Sequence, residues 1–90
     1  MPKTTKPKQE TKAYKVSVKL GDTFYTAQAD DVTEALLALN PPKISSRAFF
    51  TLEHAGKTST LLKNVFFARR ILKNKMNAFY FGRNLLTLLK

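Results

Sequence analysis

The sequence predicts an α+β protein: a four-stranded antiparallel sheet made of two β-hairpins, with two or three helices, in the order β-β-α-β-β-α-α. Two patterns carry that expectation. Apolar and polar residues alternate with period two in two stretches, each broken by a glycine turn. After each of these stretches the apolar residues switch to three-and-four spacing. With 90 residues the chain has room for one domain, placed at 13–90 behind a basic arm at 1–12.

The first strand is expected at 13–20. Tyr14, Val16, Val18 and Leu20 point one way, and Lys15, Ser17 and Lys19 the other. Gly21-Asp22 is a Gly-X pair that begins a tight hairpin turn. Residues 23–29 are rich in β-formers, with Tyr25, Ala27 and Ala29 on one face. A helix over 31–39 then starts from Asp31, which caps it, with Glu34 three residues on. Val32, Ala35, Leu36 and Leu39 form its apolar stripe. Asn40-Pro41-Pro42 ends it, because proline lacks the N–H a helix needs and excludes its neighbour from the α region.

A third strand reads over 47–54, with Ala48, Phe50, Leu52 and His54 on one face and Phe49, Thr51 and Glu53 on the other. Ala55-Gly56-Lys57 is a turn, and 58–62 is a short fourth strand. Asn64 caps a second helix over 65–73. On a helical wheel Val65, Phe67, Ala68, Ile71 and Leu72 share one arc; Arg69, Arg70 and Lys73 take the opposite arc, with Phe66 among them. Residues 74–77 are a break. A third helix is expected over 77–90, with Ala78, Phe81, Leu85, Leu86, Leu88 and Leu89 on its apolar arc; a short strand at 85–89 is the competing assignment. Gly82 inside this helix costs about 1 kcal/mol against alanine.

Charge is the dominant feature of the composition: sixteen Lys and Arg against six Asp and Glu, a net +10. It is unevenly placed. Lys3, Lys6, Lys8 and Lys12 make the N-terminal arm basic, whereas 13–42 is slightly acidic. From His54 to Lys90 there is no acid at all. The positive potential therefore belongs to the C-terminal half, and it attracts polyanions. Residues 1–12 lack the apolar run of a signal peptide, and position 2 is Pro rather than the Gly of a myristoylation signal. No apolar run approaches the roughly 20 residues of a membrane span. The arm reads as flexible, either as a solubilising tail or as a strap lying along phosphate.

Several chemistries are excluded or weakened. Without cysteine there is no disulfide, no thiolate nucleophile and no cysteine zinc site, which favours a reducing, cytoplasmic setting for so small a domain. His54 is the single histidine, and its neighbour Glu53 points to the other face of the strand, so they do not form an acid–base pair. Gly56-Lys57-Thr58 imitates the end of a P-loop, but Thr51 stands where the first glycine is required and a strand follows. The acids Asp22, Asp30, Asp31 and Glu34 are explained by a turn and a helix start. No catalysis, metal or cofactor is expected.

What remains is cations interleaved with aromatic rings, the combination that binds single strands. The expected contact residues are Lys63, Phe66, Arg69, Arg70, Lys73, Lys75 and Arg83, acting on the phosphate backbone of RNA or DNA with weak sequence preference. No family is named by these residues. The strand at 47–52 lacks the glycines of the RNA-recognition motif, and a helix-turn-helix at 65–90 would place its basic helix first. The rival expectation is an interaction module whose basic aromatic face docks on an acidic protein. Membrane binding through 65–90 is weaker still, because the sheet needs the same apolar arcs.

Overall fold

A computed structural model of the chain describes residues 13–41 and 43–89. The basic arm expected at 1–12 lies outside the described residues, as do Pro42 and Lys90. The elements are β1 (Tyr14–Leu20), β2 (Thr23–Ala29), α1 (Val32–Leu39), β3 (Ala48–His54), β4 (Lys57–Lys63), α2 (Val65–Lys73) and α3 (Lys75–Thr87). This is the expected α+β order, with three helices among the described residues.

Both hairpins close through two-residue turns. Gly21 has a φ of +62°, as the glycine-first hairpin turn requires. In the second turn Ala55 and Gly56 both have positive φ, so His54 pairs directly with Lys57 and β4 begins one residue earlier than the sequence indicates. The strands are ordered β2-β1-β3-β4, all antiparallel. The chain crosses from α1 back to place β3 beside β1, so the two hairpins join through their first strands.

All three helices lie on one face of this sheet. Val16, Val18 and Leu20 of β1 and Ala48, Phe50 and Leu52 of β3 project into the core. There they meet Val32, Ala35, Leu36 and Leu39 of α1, Ala68 and Ile71 of α2, and Ala78, Phe81 and Leu85 of α3. Each large side chain so buried contributes about 1.5–3 kcal/mol. Phe50 and Phe81 meet edge to face, their centroids 4.7 Å apart. Ser59, the buried polar residue of β4, donates its hydroxyl to the Leu85 carbonyl at 2.7 Å, tying α3 to the sheet.

Asn74 shortens the expected break to a single residue. Its extended backbone ends α2, and its side-chain oxygen accepts from the N–H groups of Met76 and Asn77, so α3 starts at Lys75 rather than at 77. The strand alternative at 85–89 is overturned, because Phe81 and Leu85 occupy helical spacing that the core fills on the α3 side.

Candidate nucleic-acid interface

Helix α2 sits at the margin of the helical layer. Asn64 caps it, its side-chain oxygen accepting from the Phe67 N–H at 3.0 Å. Only Ala68 and Ile71 are buried. Phe67, expected on the buried arc, is half exposed, because α2 packs mainly on α3 and leaves that flank uncovered. Phe66 is exposed, as its place among the cations implied. The two rings touch edge to face at 5.8 Å.

The cations of this region divide by what holds them. Arg69 donates Nε–H to the Ile44 carbonyl at 3.0 Å and so anchors the loop that enters β3. The Arg70 guanidinium lies 5.1 Å from the Phe66 ring centre. The Lys63 ammonium stands 5.8 Å from the ring of Phe81 and 6.0 Å from that of Phe67. Such cation–ring contacts contribute about 0.5–1 kcal/mol at exposed sites and hold long side chains in place.

Four shallow depressions line up along these residues. The first, at the Pro41 end, is lined by Lys43, Ile44, Arg69 and Lys73. It shares Arg69 and Lys73 with a second that adds Arg70, Asn74 and Asn77. The second shares Arg70 and Asn77 with a third, of about 290 Å³, which adds Lys63, Phe67, Ile71, Phe81 and Asn84. The third shares Lys63 and Asn84 with a fourth that runs out over Leu61, Thr87 and Leu88. Neighbouring depressions share side chains, and the series, the trough, starts between α2 and the loop before β3, passes over the α2–α3 junction and ends between β4 and α3. Lys43, Lys63, Arg69, Arg70 and Lys73 line it, and no described acid does. Its field is therefore positive along its length. At Asn74 the positive end of the α3 dipole and the negative end of the α2 dipole meet, so the side-chain cations set the field there.

Of the seven residues expected from sequence, Lys63, Arg69, Arg70 and Lys73 fall in the trough. Phe66 is not among its lining residues, although its ring contacts Arg70, which is. Lys75 and Arg83 are not among its lining residues; Arg83 instead lies 5.8 Å from the Phe79 ring on another side of α3. Sequence reasoning missed Lys43, Phe67, Asn77 and Asn84. The two asparagines are seven residues apart, two helical turns, and that spacing was a readable signal. Lys43 had none, since only the folded chain carries its loop to Arg69.

Other chemistry-bearing residues are engaged elsewhere. The His54 ring stacks on Tyr14 at 4.1 Å, and its Nδ1 is 2.9 Å from the Ala13 carbonyl oxygen. Gly56-Lys57-Thr58 forms the hairpin turn and the start of β4, with no helix to complete a phosphate loop. Among the described residues no three His, Asp or Glu side chains gather to hold a metal ion, and no helix is long and apolar enough to cross a membrane. No protein-family model, curated protein or solved structure matches the chain.

Proposed function

We propose that this protein is a small, non-catalytic nucleic-acid-binding protein that holds the phosphate backbone of RNA or DNA in the α2–α3 trough, with low sequence preference. The observation that carries the reading is the composition of the trough: five cations along the series of depressions, the rings of Phe67 and Phe81 lining one of them, and no described acid. Phosphates replacing the counterions of such a groove release them, and affinity falls with salt in proportion to the contacts made. Asn74 and Asn77 are spent on the helix junction, which leaves few groups for reading base edges. A place in a ribonucleoprotein suits this chemistry as well as DNA does.

The test is fluorescence anisotropy of labelled single- and double-stranded DNA and RNA across a salt series. Micromolar or tighter binding is expected, with a log–log salt slope that drops by about 2 in Lys63→Ala/Arg70→Ala/Lys73→Ala. Absence of binding near physiological salt, or an unchanged slope in the triple variant, overturns the reading. A second reading is favoured by the exposed Met76, Phe79 and Tyr80 on α3, outside the trough lining: anchors of that kind beside Arg83 suit an acidic protein partner. A pull-down with the triple variant separates the two, since protein capture through that face survives loss of the trough.

A further inference from the structure

The face of the sheet turned away from the helices carries a row that crosses all four strands. In register, Phe24 of β2 pairs with Lys19 of β1, Lys19 with Phe49 of β3, and Phe49 with Leu62 of β4. Phe24 is 66% exposed, Leu62 53% and Phe49 47%. These side chains are not needed by the core, which is filled from the other face. The Lys19 ammonium lies 5.6 Å from the Phe24 ring centre. Lys19, Arg47, Phe49 and Leu62, with Gly21 and Ser46, surround a depression of about 350 Å³ at this end of the sheet.

The charge on this face narrows what it meets. Glu53, its acid within the strands, stands in register opposite Lys15 at the far end, three pairs or more from the rings. The aromatic end has Lys19 and Arg47 against Asp22 of the β1–β2 turn, and so stays net positive. A second copy of the chain would bring together two molecules that each carry +10. An apolar peptide would leave both cations without a partner. A single nucleic-acid strand supplies both complements: flat bases for the rings and phosphate for the cations. A duplex does not, because its bases are already stacked inside.

We infer that this open face is a second surface, one that stacks the bases of single-stranded nucleic acid on Phe24 and Phe49, with Lys19 and Arg47 holding the flanking phosphates. The two rings stand on strands separated by β1, about 10 Å apart at the backbone. Leu62 and its neighbour Lys63 face opposite sides of β4, so the row and the end of the trough meet at the same corner of the sheet. The inference rests on nucleic acid being the partner, as proposed above, but uses residues the trough does not.

The test is anisotropy with labelled polythymidine, polyuridine and a blunt duplex, using the full chain. Phe24→Thr/Phe49→Thr keeps β-forming residues while removing both rings. Single-strand affinity is expected to fall by at least about tenfold, as base–ring stacking implies, while duplex affinity and the salt slope hold. Phe24→Tyr/Phe49→Tyr, which retains the rings, should bind like the wild type. Should the threonine pair lower the melting temperature, Phe24→Thr alone, at the most exposed of the three positions, reads the share of that loss that one ring supplies, at least about fivefold. Unchanged single-strand binding, or an equal loss for single strand and duplex, overturns this surface and leaves the trough standing. Failure of the wild type to bind any form overturns both.

Discussion

Gly82 of α3 lies so close to α1 that a methyl group placed on it would sit 2.7 Å from Cγ1 of Val32. The glycine that weakens an isolated helix is what lets these two helices approach. Val32 is buried and β-branched, with little rotamer freedom to retreat. Gly82→Ala is therefore expected to lose stability despite gaining about 1 kcal/mol of helix propensity. Overpacking costs about 1–3 kcal/mol, so a net loss of about 1 kcal/mol should appear as a lower urea midpoint. A rise in midpoint would show that α1 yields at no cost.

Ala55 holds a φ of +52° in the β3–β4 turn, a conformation that costs a residue with a Cβ about 1–2 kcal/mol. Asparagine tolerates it, and Asn-Gly is the preferred pair for a two-residue turn with both φ positive. Ala55→Asn should raise the melting temperature by about 4 °C, the response of a domain this size to somewhat under 1 kcal/mol. Thermal unfolding followed by circular dichroism checks it.

Asn74 joins two roles: it caps α3 and lines the trough. Asn74→Ala should cost about 1 kcal/mol of stability through the lost cap. Asn74→Asp keeps the cap of α3, with its charge favourable to the α3 dipole and unfavourable to that of α2, and puts a carboxylate beside Arg69, Arg70 and Lys73. Stability should hold while nucleic-acid affinity drops several-fold. Retained affinity in Asn74→Asp would mean that phosphate does not follow this path.

Arg69 and Arg70 are adjacent but not equivalent. Arg69→Ala breaks the bond to the Ile44 carbonyl and should lower stability by about 1 kcal/mol. Arg70→Ala loses only the exposed Phe66 contact and should cost less, about 0.5 kcal/mol. Each should reduce the salt slope of binding by up to about 1. Paired melts and salt titrations of the two variants measure both effects.

Much of the fold was legible because its signals are local. Period-two alternation in 13–20 and 47–54, the cap at Asp31 and the proline stop after Asn40 each depend on near neighbours. The misreadings came where a residue serves two elements or where coverage is decided at a distance. Asn74 looked like part of a longer break because one residue both ends α2 and starts α3. Phe67 has the right helical phase for burial, yet α2 is too marginal in the layer for anything to cover it.

The sequence by itself determined the order of strands and helices, most of the faces they bury and the acid-free basic C-terminal part. Periodicity and charge are properties of chain order, so they survive without a third dimension. Only the tertiary structure decided that β3 lies beside β1, and so lined up Phe24, Lys19, Phe49 and Leu62 from four strands in one row. It alone carried Lys43 to Arg69 and turned scattered cations into a trough. Those juxtapositions follow from how the apolar stripes pack to exclude water, a long-range balance that no window along the chain contains.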